Sequence, residues 1–216
     1  MKKALIVVLF AAMIASAAFA APPALKMSAG GGVLFAGDLG GGMKIGSTDA
    51  YKTPWFGPGA FAFFDATYAE VGVDFIYGFG TMSPTGGSDE KYKIMNLGFS
   101  LLGKYPFTFG KITAFPLLGI EYRFAVSAKD KNGDNFDKGG NGPKAADFSA
   151  LWIQIGGGVD YPITKQLYVR GELLYGIRLQ NKAEKDSVDE AKRDGDDAKR
   201  RWGHGPTIKI GVGYKF

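Results

Sequence analysis

The 216-residue chain contains no cysteine and a single histidine, His204. The first absence excludes a disulfide scaffold, a Cys-ligated zinc, an iron–sulfur cluster and a thiol nucleophile. The second excludes a metal site built from several histidines. Long apolar runs are scarce too. Past the first twenty residues no stretch approaches the 18 or so uncharged apolar residues of a spanning helix. Mean hydropathy is −0.03, the balance of a soluble chain. Neither sign of charge dominates, with 26 Lys and Arg against 21 Asp and Glu. Hydrophobic residues are 46%, which is too many for a disordered chain. What the chain has in excess is glycine, 33 residues, and aromatic side chains, 14%.

The N-terminus reads as an address. Met1-Lys2-Lys3 is a short basic start, Ala4 to Ala18 is apolar, and Ala18-Phe19-Ala20 places small residues where a signal peptidase cuts. Ala21-Pro22-Pro23 then breaks any helix. The expected division is therefore a signal peptide over 1–20 and one domain over 21–216. An exported chain without cysteine must be held together by something other than cross-links.

The remainder alternates with a period of two, the signature of strands with unlike faces. In 207–216 every even position is apolar, and every odd one is polar or Gly. In 167–179, Leu167, Val169, Leu173, Tyr175, Ile177 and Leu179 oppose Tyr168, Arg170, Glu172, Leu174 and Arg178. Stretches 69–79, 95–105, 118–126 and 151–161 repeat the pattern. Two weaker strands are 26–36, diluted by three glycines, and 57–64, where Phe61 and Phe63 share a face. Pro58 suggests a later start for the latter, and Pro116 is tolerable as the first residue of its strand. The eight strands approach the ~9–11 residues that cross a bilayer when tilted. Their links alternate, with long ones at 37–56, 127–147 and 180–205, an intermediate one at 81–92, a short to moderate one after Pro106 and tight ones at 65–67 and 162–165. The pattern predicts a single all-β, eight-stranded antiparallel up-and-down transmembrane barrel.

Periodicity alone does not say which face is outside, since a soluble ligand-holding barrel would turn its apolar face inward. Three features place lipid outside. The face opposite the apolar one is crowded with glycine, including Gly72, Gly98, Gly119, Gly156, Gly158, Gly176, Gly211 and Gly213. Its charges are mixed: Lys104, Arg123, Arg170, Arg178, Lys209 and Lys215 meet Glu70, Asp74, Glu121, Asp160 and Glu172. Aromatics on the apolar face, such as Tyr77, Phe79, Tyr105, Tyr161, Tyr214 and Phe216, sit near strand ends like interfacial girdles. A one-residue slip would turn Arg123, Arg170, Glu121 and Glu172 into lipid. Each Arg near the midplane would cost ~2–4 kcal/mol, a large share of a domain's ~5–15 kcal/mol stability.

With its export signal, eight two-faced strands and terminal Phe216, the chain resembles the small eight-stranded barrels of bacterial outer membranes. That group includes OmpX, the transmembrane domain of OmpA, the opacity proteins and OmpW, with the OmpW type preferred on size and loop lengths. Lys209, Gly211, Tyr214 and Phe216 fill the places of the group's C-terminal assembly signal. The resemblance implies recognition by the barrel-assembly machinery, outer-membrane lipid as surroundings, periplasmic termini and long extracellular loops. It also implies passage or binding of small hydrophobic molecules.

Eight strands leave room inside only for side chains, so a general porin is not expected. Asp74, Glu121, Arg123, Arg170 and Glu172 are expected to form a salt-bridged interior cluster, because unpaired buried charge is costly. Beyond it, Ile76, Ala125, Trp152 and Gly176 are expected to form an apolar ligand cup. The alternative is an adhesin or structural surface protein acting on a host or surface partner through its long loops. Link 180–205 holds seven bases and seven acids. Its i,i+4 pairs, Lys185/Asp189, Asp189/Arg193, Asp196/Arg200 and Asp197/Arg201, allow a short helix. Like-sign runs are too brief for nucleic-acid binding. Arg200 and Arg201 are candidates for anionic lipid headgroups. Asp130-Lys131-Asn132-Gly133-Asp134-Asn135 resembles the start of a calcium loop but lacks Gly at the sixth place and has Asn141, not Glu, at the twelfth, so no metal is expected. His204 has no nucleophile motif beside it and glycines on both sides, so neither catalysis nor a cofactor is expected.

Overall fold

The structure is a computed structural model that describes residues 26–137, 143–179 and 181–216. The expected signal peptide, 1–20, lies outside the described residues. Among the described residues there are twelve strands: β1 (Met27–Asp38), β2 (Gly42–Ile45), β3 (Thr48–Lys52), β4 (Trp55–Ala66), β5 (Ala69–Pro84), β6 (Glu90–Lys104), β7 (Phe107–Phe109), β8 (Ile112–Asp130), β9 (Ala150–Pro162), β10 (Leu167–Arg178), β11 (Ala198–Arg200) and β12 (Gly203–Lys215). Eight of them close a barrel in the antiparallel order β1-β4-β5-β6-β8-β9-β10-β12, with β12 returning to β1. Closure removes the sheet edges, so every strand has two neighbours.

The alternation decides the sides. Val33, Ile155, Leu173, Ile208, Ile210 and Val212 point outward and are exposed, whereas Glu121, Arg170, Glu172 and Lys209 are buried inside. A band of Ile, Val, Leu and Phe around a polar interior is the layout that hydrocarbon surroundings demand. Phe61 and Phe63 do share a face, and that face is the interior, where they are buried. Lys215 departs from the expected set of inward ions. It sits half-buried at the strand end, 5.1 Å above the Tyr168 ring.

Both prolines overturn the strand starts read from sequence. β4 begins at Trp55, ahead of Pro58, and β8 begins at Ile112, ahead of Pro116. The reason lies in the ladders. The β4–β5 register is constant on either side of Gly57 and Pro58, yet those two residues make no pair with β5. On β8 the partner changes from β7, which ends opposite Ala114, to β6, which begins opposite Leu117. Pro116 falls in that gap while keeping its place opposite Gly157 of β9. Each proline occupies a spot where a missing N–H leaves no orphaned partner.

One end of the barrel carries tight turns, Thr67-Tyr68 and 163–166, and the other carries the long links. At that loop end, β5 and β8 reach 16 and 19 residues, well beyond what a bilayer requires. The long links are not bare. The 37–56 link folds into the hairpin β2–β3, which joins β11 on one side and the end of β5 on the other. The 180–205 link supplies helix α1 (Lys182–Arg193) and β11. Asn181 caps the helix by accepting from Glu184 N at 2.8 Å. Met43, Val188 and Ala198 make a small apolar core that seats α1 on this annex.

Glycine sets the tightness of the seam between β1 and β12. A Cβ at Gly30 or Gly32 would run into the carbonyl oxygens of Val212 and Ile210 respectively. A Cβ at Gly171, on the outer wall, meets only Val159 at 3.9 Å. Gly32→Ala is therefore expected to cut the yield of closed, heat-modifiable barrel on refolding into detergent, while Gly171→Ala refolds as the parent. Equal yields from the two variants would contradict the seam argument.

Candidate functional site

The interior is built in tiers. Near the turn end Tyr168 is fully buried and shares a hydrogen bond with Ser28 at 2.7 Å. The next tier centres on Arg170. Its Nε and Nη2 bind Asp160 at 2.7 and 2.9 Å, Nη2 also binds Asp65 at 2.7 Å, and Nη1 binds Glu70 at 2.6 Å. Glu172 lies 3.6 Å from Nη1. Lys104 adds a second cation, paired with Asp65. The Arg170 guanidinium is stacked over Phe63 at 4.3 Å and faces Phe115 at 4.9 Å. Aromatic faces accept the cation where water cannot reach it.

Midway, Glu121 takes a bidentate pair from Arg123, Nε–Oε1 at 2.9 Å and Nη2–Oε2 at 2.8 Å. Gln154 donates to the same carboxylate, and Thr207 accepts from Arg123 Nη2 at 3.1 Å. Asp74 is bound by Lys209 at 2.8 Å. The five expected cluster residues are thus all buried inside but fall into separate groups. Glu121 and Arg123 form one, Asp74 with Lys209 a second, and Arg170 with Glu172 a third. The reason is that Lys209, Asp65, Asp160 and Glu70 each supply a local partner. Lys209, expected as part of the assembly signal, has its side chain in this lumen. Gly211 lies on the β1 seam, and Tyr214 and Phe216 are exposed on the outer wall.

The ion balance differs from the expected near-equality. Among the described residues eight buried carboxylates face five buried bases. Asp38, Asp65 and Glu184 are the acids that sequence reasoning left in turns and links. Asp65 was legible only by parity, as the next inward position after Phe61 and Phe63. The opposite face of β4 carries Phe56, Ala60, Ala62 and Phe64, so the two faces are equally apolar and parity could not be assigned.

Above the Arg123 tier, toward the loop end, lies a cavity of about 570 Å³. Its inner end is formed by Arg123, Asn96, Trp55 and Trp152, its walls by Tyr92, Ile94, Phe136 and Phe148, and its mouth by α1, Asp147 and Tyr51. Trp152 lies face-on to the Arg123 guanidinium at 4.3 Å. The expected cup is corrected here. Trp152 lines the cavity, but Ile76, Ala125 and Gly176 do not. Ile76 and Ala125 are packed solid with Leu34, Ala36 and Trp55. Gly176 lies beneath the Trp152 ring, where a Cβ would come within 2.7 Å. The sequence signal that was missed is aromatic: Trp55, Tyr92, Phe136 and Phe148 come from four different segments.

The mouth is tied by ions. Arg178 Nε binds Asp38 at 2.6 Å and its Nη2 binds Glu184 of α1 at 2.6 Å. Glu184 Oε1 also accepts from Gly42 N at 3.1 Å. Lys182 of α1 pairs with Asp147 at 3.0 Å and with Asp186 at 3.2 Å. The Lys182 hydrogen bond holds the Asp147 carboxyl below its ordinary value. Asp196 and Asp197 fall beyond the helix, and Arg201 turns to Asp49 instead of Asp197. Arg200 stacks on the exposed Trp202 at 3.9 Å. Asp130 Oδ1 accepts from the backbone of Asn132 and Asp134, both at 2.9 Å, which makes the 130–135 segment a turn closed on itself. Asn141, its twelfth place, lies outside the described residues. His204 Nδ1 bonds Tyr175 Oη at 2.5 Å.

Removing Arg170 would take a cation from four carboxylates and leave Asp160 and Glu172 without an ion-pair partner, since Lys104 still reaches Asp65 and Glu70. Losing one partner of a buried pair typically costs ~3–5 kcal/mol. Arg170→Ala should lower the urea stability of the folded barrel in lipid vesicles by about that amount. A loss under about 1 kcal/mol would mean the tier does not hold the barrel.

No curated protein matched the chain in a sequence comparison. Among solved structures, the outer membrane protein OprG from Pseudomonas aeruginosa aligns with a TM-score of 0.54 and 15% identity, covering 89% of this chain and 96% of its own. Neisserial surface protein A aligns with a TM-score of 0.46 and 14% identity, covering 88% and 97%. Ail, the attachment invasion locus protein of Yersinia pestis, aligns with a TM-score of 0.41 and 12% identity, covering 89% and 99%. At such identities the likeness to OprG is one of fold. The profile of the outer membrane protein beta-barrel domain matches residues 6–216. The chain belongs to that family, and it is a β-barrel protein of the bacterial outer membrane.

Proposed function

We propose that this barrel is a non-porin surface protein that receives small apolar molecules in the cavity at its loop end. It acts by binding and not by catalysis. The observation that carries this reading is the cavity itself. Its volume of about 570 Å³ falls in the range of small-molecule sites, and six aromatic side chains, Tyr51, Trp55, Tyr92, Phe136, Phe148 and Trp152, line it. The ionic tiers close the barrel beneath it. A buried, paired guanidinium with Trp152 on its face gives a floor, so a cup fits the geometry better than a straight conduit.

The same reading orients the chain. The loop end faces outward and both termini face the periplasm. The charged annex of β2, β3, β11 and α1 then meets the sugar layer, and Tyr214 and Phe216 meet the inner interface. Residues 1–20 are the export signal of this scheme, and the last strand is what the barrel-assembly machinery reads. The OmpW-type resemblance favours the same role. Against catalysis, the His204 ring is engaged by a tyrosine hydroxyl, without a serine or carboxylate on its nitrogens among the described residues.

The rival, an adhesin acting through its loops, predicts no specific uptake of small molecules. Fluorescence separates the two, because Trp55 and Trp152 line the cup while Trp202 is exposed. In a Trp202→Phe background, bromobenzene should quench the emission of the folded barrel saturably, and Trp152→Ala should remove much of that signal. Quenching that rises without saturation, or none, would contradict the cup.

A further inference from the structure

Resting on the cup just proposed, we infer that its preferred occupant is an organic cation, an apolar body that carries a positively charged amine or ammonium group. The walls of the cavity are aromatic and its mouth is acidic. Five carboxylates line it, Asp38, Asp147, Glu184, Asp186 and Glu190, against the three bases Arg123, Arg178 and Lys182. Each base is already engaged. Arg178 serves both Asp38 and Glu184, and Lys182 serves both Asp147 and Asp186. Arg123 is matched by Glu121 from outside the lining. The Glu190 carboxylate has no ion-pair partner among the described residues. Counted with Glu121, six carboxylates meet three bases, so the site keeps a surplus of three negative charges.

The register of α1 makes the mouth acidic. Ala183, Asp186, Ser187 and Glu190 recur three or four residues apart, so they share the helix face that lines the cavity. Val188 and Ala191 turn to the annex core instead. Three of the four acids in the helix line the cavity, whereas Lys185, Lys192 and Arg193, three of its four bases, do not. A helix with equal numbers of both signs thus presents mostly one sign to the opening. An anion entering there would meet like charge and lose its hydration. A cation is attracted by the carboxylates and by the ring faces of the walls. Among the described residues no group of three acids could hold a metal ion. The lining therefore suits a cation that brings its own apolar surface. The Arg123 guanidinium sits at the inner end, so the apolar body lies there against Trp55 and Trp152, and the cationic group stays at the mouth beside Glu190.

Three molecules of one shape test this: benzyltrimethylammonium, neopentylbenzene, in which carbon replaces the nitrogen, and phenylmethanesulfonate. Each competes with bromobenzene for the saturable quenching of the Trp202→Phe barrel, at low salt in a nonionic detergent, with free concentrations corrected for partition into micelles. The ammonium should displace bromobenzene at a concentration at least about tenfold below that of the sulfonate. Glu190→Gln should shrink that ratio about threefold. Asp189→Asn removes the same charge from a neighbouring position that does not line the cavity, and should leave the ratio as in the parent. Neopentylbenzene should bind the parent and both variants alike. Equal displacement by the ammonium and the sulfonate, or none by the ammonium, would overturn the inference, while displacement by neopentylbenzene leaves the apolar cup in place. Stronger displacement by the sulfonate would overturn it in favour of an anion site. Equal losses in the two variants would overturn the assignment to the cavity face of α1. Bromobenzene quenching without saturation would overturn the cup itself.

Discussion

The structure depends on one constraint: charges inside a narrow barrel must find partners within reach, because neither water nor lipid will take them. Arg170 illustrates it. It draws carboxylates from β4, β5 and β9 to one point, with Phe63 and Phe115 against its faces. Four strands are thereby tied across the lumen as well as along their edges. At successive heights Arg123 joins β8 to β12 through Thr207, Lys209 joins β12 to β5 through Asp74, and Arg178 joins β10 to β1 through Asp38. This is how a chain without disulfides fixes its strand register, and a slipped strand would break several such ties at once.

The same ions position the cup. Glu121 and Gln154 hold Arg123 level beneath Trp152, so the ion tier ends in an aromatic floor and not in an open pore. At the mouth, Arg178 joins Asp38 of β1 to Glu184 of α1, so the helix is fastened to the barrel by a buried triad. The loop end is a folded annex: its core of Met43, Val188 and Ala198 gives α1 a fixed seat.

The barrel was legible because lipid leaves so few options. Strands such as Leu167–Arg178 and Gly203–Lys215 carry an unambiguous two-sided pattern, and their inward ions follow from it. β4 was not legible in that way, since Phe61 and Phe63 on one face match Phe56 and Phe64 on the other. With its parity open, Asp65 could not be placed beside Arg170. The prolines misled the strand starts because a sequence does not reveal where a ladder is interrupted, as at Gly57 and Pro58, or where it changes partner, as at Pro116. The cup was half legible: Trp152 follows from the period of β9, but Tyr92, Phe136 and Phe148 converge only once the long links are folded. Ile76 and Ala125 have the right depth and the wrong neighbours, since Leu34 and Ala36 fill the space in front of them.

The central claim is that side chains alternate between acyl chains and an ion-filled lumen. Residues 152 and 153 test it side by side, because Trp152 is 2% exposed and Ile153 is 45% exposed on opposite walls of β9. One barrel keeps Trp152 as its sole tryptophan, and a second carries Ile153→Trp with the native tryptophans replaced by Phe. Both are folded into vesicles of lipids brominated on the acyl chains. The account predicts strong quenching of the tryptophan at 153 and little at 152. Equal quenching at the two positions, or the reverse order, would contradict it.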